Sequence, residues 1–272
     1  MGTGIGKRWK RLMSGREEPR PAAALPADYD ERAQTIIRHV TPYTMIGHER
    51  LYSLIQATRY IARHGIPGAV VECGVWRGGA VGAVGMVLQD EATERPLYLF
   101  DTFEGMSQPS QADQGFDGSS ASAIYQHRET GDGGSDWCRS PLEDVQATLL
   151  SLGLAPEGFV CVKGKVEDTI PSQFPEPEIA LLRLDTDWYE STRHEMEHLF
   201  PRLVAGGVLI IDDYGDWMGA RKAVDEYLAA HRVPMLLSRV NGSVIGVKPA
   251  QAGSPSAWRA ARTAGRAPIR AW

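Results

Sequence analysis

Asp185, Asp187, Asp212 and Asp213 are the residues whose type and spacing most clearly suggest chemistry. They close two stretches of one design, Leu181-Leu-Arg-Leu-Asp-Thr-Asp-Trp188 and Val208-Leu-Ile-Ile-Asp-Asp213, each an apolar run that stops abruptly in acids. Short apolar runs bounded by polar residues read as buried parallel strands. Between them, Tyr189 to Leu203 has a helical pattern and Ala205-Gly-Gly207 reads as a break. From Asp185 to Asp212 is 27 residues, enough for one strand–helix–strand crossover. Such a crossover brings the chain back in the same direction, so the four acids converge on one edge of the sheet. Carboxylates so placed repel one another, and a hard divalent cation with oxygen ligands is the usual neutraliser. The pattern predicts a metal site; the plainer alternative is strand-end acids capping the helices that follow.

A second candidate lies at Ala69-Val-Val-Glu72, which runs into Cys73-Gly-Val-Trp-Arg-Gly-Gly-Ala80. Glu72-Cys-Gly74 with Gly78-Gly79 forms a glycine-rich strand-to-helix turn, but without the GxGxxG spacing that seats a dinucleotide pyrophosphate. A ligand with a ribose and no pyrophosphate would suit it. Asp101, closing Leu97-Tyr-Leu-Phe-Asp101, stands where an acid accepts ribose hydroxyls. A tight packing turn beside a solvated acid accounts for these residues equally well. His194-Glu-Met-Glu-His198 matches the HExxH of zinc proteases. It falls in the crossover helix, with Met196, Leu199, Phe200 and Leu203 as the buried stripe, so it reads as an exposed charged helix. Asp185-Thr-Asp187 also matches the DxD of glycosyltransferases, and the second acid pair favours a metal more than a nucleotide sugar.

The elements that position these groups follow from the rest of the chain. Five strand-like runs alternate with helical patterns, which predicts an α/β fold with a doubly wound, mostly parallel sheet and a ligand at the carboxyl ends of its strands. Phe159 to Val162 supplies the third strand, Gly219 to Ala230 a late helix, and Met235-Leu-Leu with Val244 to Val247 around Asn241-Gly242 a closing antiparallel hairpin. Asp28 to Val40 and Gly47 to His64 read as helices that cover the sheet's active edge. Residues 103–139, rich in Gly, Ser, Asp and Gln, read as a lid or binding loop or as disordered, and Ser140 as the N-cap of a helix over Pro141 to Leu152. The expected organisation is a mobile arm over 1–27, one domain over 28–249 with N-terminal helices (28–66), and a disordered tail over 250–272.

Composition sets limits. A net charge of −5 speaks against nucleic acid as a partner, and three cysteines without CxxC spacing fit a reducing cytoplasm. No stretch suits a signal peptide or a membrane span. The long loop and the leading helices offer a surface for a homo-oligomer.

Taken in order, Val-Glu-Cys-Gly-Val-Trp-Arg-Gly-Gly (71–79), Leu-Phe-Asp-Thr-Phe-Glu-Gly-Met (99–106), Leu-Arg-Leu-Asp-Thr-Asp-Trp-Tyr (182–189) and Ile-Ile-Asp-Asp-Tyr (210–214) resemble the macrocin O-methyltransferase family over about residues 40–248. The resemblance implies a seven-stranded class I methyltransferase fold, S-adenosylmethionine and Mg²⁺ as cofactors, and a small-molecule acceptor, a hydroxyl on a deoxysugar of a secondary metabolite. It implies Glu72 and Gly74 in the adenosylmethionine pocket, Asp101 with Thr102 at the ribose, and Tyr43, Thr44 and Met45 folded over the cofactor. It further implies Asp185, Asp212 and Asp213 as metal ligands and Asp187 as general base. Residues 103–139 match the family poorly and leave the acceptor unspecified.

The chemistry agrees with that implication. A sugar hydroxyl is too weak an acid for a carboxylate alone, and a bound divalent ion lowers its pKa and holds it. On an extended strand Asp185 and Asp187 would face one side, one for the metal and one for the proton. Two other functions compete: a metal-dependent glycosyltransferase using Asp185 and Asp187, and a non-catalytic cofactor-binding protein with a structural metal.

Overall fold

A computed structural model describes residues 25–130 and 134–250. The arm expected over 1–27 and the tail expected over 250–272 lie outside the described residues, apart from 25–27 and 250. Seven strands form one sheet: β1 (Ala69–Cys73), β2 (Leu97–Asp101), β3 (Phe159–Lys163), β4 (Ile179–Leu184), β5 (Leu203–Ile211), β6 (Ser238–Val240) and β7 (Ser243–Val247). Their order is β3-β2-β1-β4-β5-β7-β6. The first five are parallel, and β7 runs antiparallel between β5 and β6. This is the expected α/β fold, mostly parallel, with its antiparallel C-terminal hairpin. Strand order reverses between β1 and β4, so the sheet's natural crevice opens beyond their carboxyl ends.

Eight α-helices accompany the sheet among the described residues: α1 (Glu31–Val40), α2 (His48–Arg63), α3 (Gly79–Asp90), α4 (Ala121–Arg128), α5 (Leu142–Ser151), the single turn α6 (Val166–Thr169), α7 (Tyr189–His198) and α8 (Met218–Ala230). Every residue of β1 and β4 is buried, because helices cover both faces. Alternation along the strands divides the core in two. Val70, Leu99, Leu181, Val208 and Ile210 pack under α1, α2 and α3. Val71, Phe100, Leu182, Leu184, Leu209 and Ile211 pack with Met196, Leu199 and Val224 from the α7–α8 side. No helix among the described residues is long and apolar enough to cross a membrane.

Four local expectations need correction. Ala205-Gly-Gly207 is not a break but part of β5, where Gly206 N–H donates to Lys248 O and Lys248 N–H to Gly207 O, both at 2.8 Å. Glycine loosens a strand but does not end it when a partner strand takes its peptide groups. The hairpin pairs Ser238–Val240 with Ser243–Val247, not Met235–Leu237, and Leu236 is 81% exposed. Helix α5 begins after Pro141 with no side-chain cap, so Ser140 is buried but does not cap it. Residues 103–139 contain α4, capped by Ser120 Oγ accepting from Ala123 N–H at 3.3 Å. Its short apolar set (Ala121, Ile124, Tyr125) packs into a third cluster with Trp137, Trp188 and Trp217.

Candidate active site

Two turns built into the sheet meet at its crevice. After β1, Gly74 adopts φ +82°, and a Cβ there would run into the Asp185 carbonyl. Asp185 N–H in turn donates to Cys73 O at 2.8 Å. Only glycine lets these chains approach so closely, since it has neither a Cβ nor a penalty at positive φ. The turn after β4 is not the extended strand expected at Asp185-Thr-Asp187. The strand ends at Leu184, and Asp187 takes the left-handed conformation, φ +68°. That twist, not strand alternation, sets where its carboxylate lies.

Asp185, Asp187 and Asp213 each offer a carboxylate oxygen, all within 4.8 Å of one another. Among the described residues, no donor reaches the buried Oδ2 of Asp213. Burial pushes the Asp185 and Asp213 carboxyls well above the usual range, against the pull of Arg183 on Asp185; neighbouring acids push both further. A buried acceptor without a donor and mutually repelling carboxylates are what a hard cation with oxygen ligands would relieve, so the residues fit such an ion. Asp212, expected in the ligand set, is not brought into this group. Its oxygens accept from Arg50 Nη1 at 2.6 Å and Ser243 Oγ at 2.9 Å, and Arg183 Nη2 stands 3.1 Å away.

Two buried arginines that sequence reasoning missed organise the acids. Arg183, on β4, faces Glu72 on β1 in register and bonds its Oε1, with Asp185 at 2.8 Å from the other guanidinium nitrogen. Arg50 reaches down from the cover helix α2 to Asp212 and to Asp216 at 2.8 Å. A charged residue inside the buried run Leu181–Leu184 was the one signal for Arg183; nothing in the helical pattern marks Arg50. Both are under a tenth exposed, and their charge offsets what would otherwise be a strongly repulsive pit. Glu72 lies behind Arg183 and not on the cleft wall, and burial pushes its carboxyl up to about 7 despite Arg183.

The wall continues from the acids through Gly74, Val75 and Trp76 to Asp101 and Thr102, with Thr44 and Met45 opposite. Tyr43 is not on the wall; its ring packs under the Arg77 guanidinium, 5.4 Å from the centroid. The cover sits close because α3 starts at Gly79, where a Cβ would meet the Tyr43 carbonyl. Asp101 is not a solvated acid. Its Oδ2 accepts from Val75 and Trp76 N–H (2.7 and 3.1 Å), and its Oδ1 from Phe103 N–H (2.7 Å), with Thr102 Oγ1 at 3.4 Å. Burial pushes its carboxyl up while those backbone bonds pull it down. The three backbone bonds take three of about four lone-pair sites, because the one proton of the Thr102 hydroxyl goes to Gly105 O at 2.7 Å.

Described residues of 103–139 close the other side of the cleft. Asp113 accepts from Tyr189 N–H and from Ser110 N–H and Oγ, all at 2.7 Å, tying this segment to the start of α7. Trp188 Nε1 donates to Ser107 O at 2.9 Å, and its ring packs edge-on against Trp217 and Trp137 at 5.1 and 5.5 Å. The HExxH stretch lies on the sheet's flank, where His194 Nε2 bonds Ile170 O at 2.8 Å. One part of its reading is corrected: Glu195 does not face solvent but is fully buried.

Comparison with known proteins covers the stretch of chain that holds this cleft. The family model described as Macrocin-O-methyltransferase (TylF) matches residues 8–247. The chain is 33% identical over 202 residues to the 8-demethyl-8-(2,3-dimethoxy-alpha-L-rhamnosyl)-tetracenomycin-C 4'-O-methyltransferase of Streptomyces olivaceus, covering 74% of this chain and 73% of that one. It is 34% identical over 192 residues to the mycinamicin III 3''-O-methyltransferase of Micromonospora griseorubida, covering 70% and 72%. Among solved structures it is similar to the O-methyltransferase NovP, at 28% identity and a TM-score of 0.66, covering 76% of this chain and 83% of that one.

Proposed function

Because the chain belongs to the macrocin O-methyltransferase family, we propose that it transfers the methyl group of S-adenosylmethionine, with Mg²⁺, to a sugar hydroxyl of a glycosylated secondary metabolite. The family match supports methyl transfer to oxygen, and the relatives' names supply the class of acceptor. The observation that carries the reading for this chain is the convergence of Asp185, Asp187 and Asp213 on the wall that also holds the Gly74 turn.

Asp185 and Asp213 would hold the cation, with Asp212 joining them by exchanging its long contact to Arg183. A bound Mg²⁺ would supply Lewis acidity, lowering the acceptor hydroxyl's pKa and orienting it. Asp187 then takes that proton on a carboxylate oxygen. Val75, Trp76, Thr44 and Met45 would bound the cofactor's space, and Asp101 would accept a ribose hydroxyl on Oδ1, where Thr102 stands only at 3.4 Å. Methyl transfer from a sulfonium needs in-line approach above all, so the fixed turns at Gly74 and Asp185 provide positioning.

Calorimetric titration with S-adenosylhomocysteine tests the cofactor class: micromolar binding is expected, and none by folded protein would sink the reading. Asp187→Asn separates base from ligand. With an acceptor the wild type methylates, it should lower the rate about 10²- to 10⁴-fold while metal affinity holds. Loss of metal affinity would move Asp187 into the ligand set.

A further inference from the structure

We infer that Glu195 is a positioning residue: buried beneath the Asp185–Asp187 turn, its carboxyl holds the Thr186 hydroxyl and thereby fixes the two acids on either side. This rests on reading those acids as the metal- and proton-handling group. Thr186 Oγ1 donates to Glu195 at 3.0 and 3.2 Å, its two oxygens sharing one hydroxyl. The Thr186 carbonyl accepts from Trp188 N–H at 2.8 Å and faces Ser191 Oγ at 3.4 Å. Asp185 is pinned through its N–H to Cys73 O, and the Cys73 thiol lies against Glu195 as well. The turn is thus tied at Thr186 through side chain and main chain, and at Asp185 through the main chain.

Such ties hold the conformation in place. An aspartate at φ +68° occupies a region that L-residues populate sparsely, and such geometry persists where neighbours over-determine it. Helix α7 shows that Glu195 is turned inward for a purpose other than helix solubility. Glu190 and Glu197 lie on its exposed side and pair with Arg193, whereas Glu195 has no exposed surface at all. An apolar side chain would fill the site at less desolvation cost but offers no acceptor oxygen to receive Thr186. The Glu of the HExxH pattern therefore acts on the opposite side of the helix from solvent, against Thr186.

The test compares the full chain with Thr186→Val, Glu195→Leu and Glu195→Gln, measuring Mn²⁺ affinity by electron paramagnetic resonance and S-adenosylhomocysteine affinity by calorimetry. Thr186→Val and Glu195→Leu should weaken Mn²⁺ binding about 10-fold or more, the effect of removing a group that orients a ligand. S-adenosylhomocysteine binding should be unchanged, and Glu195→Gln, which keeps an acceptor oxygen for Thr186, should restore most of the metal affinity. Thr186→Val is the milder change and decides the matter if Glu195→Leu does not fold. Wild-type Mn²⁺ affinity in Thr186→Val would overturn the inference, as would equal loss of both ligands or a Gln variant as weak as the Leu variant. Absence of S-adenosylhomocysteine binding in the wild type would instead remove the methyltransferase reading and leave the Mn²⁺ comparison standing.

Discussion

The two sides of the cleft are built from different materials. On the β1–β2 side the wall is largely main chain: Gly74 at positive φ, and the N–H groups of Val75, Trp76 and Phe103 gathered by Asp101. On the β4–β5 side it is side-chain charge: Asp185, Asp212 and Asp216 paired with Arg50 and Arg183, beside Asp187 and Asp213. A wall of backbone tolerates changes of charge and fails on changes of volume. A wall of balanced ions does the reverse, since volume can be replaced but an uncompensated buried charge cannot.

Substitutions can break that contrast. The largest effect is expected from Arg183→Met, which keeps volume and strands Glu72, Asp185 and Asp212; it should cost about 3–5 kcal/mol. Urea unfolding of metal-free protein measures it, and wild-type stability there would mean the acids do not depend on the guanidinium. Gly74→Ala adds one carbon on the other side and should cost about 1–3 kcal/mol by overpacking against Asp185. A neutral result would show that the turn can relax.

A third measurement varies pH with a chelator present. Burial raises the folded Glu72 carboxyl from 4.5 to about 7, so the folded state holds a proton that the unfolded chain has released. Stability from this group is full below 4.5 and falls as pH rises towards about 7, by about 1.4 kcal/mol per unit at most. Asp30, lowered to about 2 by Arg59, has its contribution complete above 3.8 and does not offset the fall. Stability that rose with pH across this window would contradict the burial of an acid opposite Arg183.

The contrast also explains what was legible in the sequence. Glycines and strand-end acids announce themselves by type and position, so the sheet, the crevice and the acid cluster could be read from spacing. Asp212 could be placed at the edge but not oriented, because Arg50 lies 162 residues away on a helix whose pattern records only its apolar face. Alternation places Asp187 on a strand face because it presumes extended backbone, whereas the left-handed φ belongs to the tertiary turn. Polarity alone places Glu195 in solvent, because it carries no information about Thr186 above it. Helix α4 was missed because eight residues with few apolar positions give little periodicity and are held by tertiary packing.

The pairing of β7 between β5 and β6 has a consequence for synthesis. Arg50 is made early and waits for Asp212 and Asp216; Asp212 in turn waits 31 residues more for Ser243, the first residue of β7. Until β7 inserts, β5 offers an open edge and the acid pit lacks one of its donors. A ribosome-bound chain halted just before Ser243 would hold almost every residue named in the site and still lack the strand that covers β5 and the hydroxyl that Asp212 accepts.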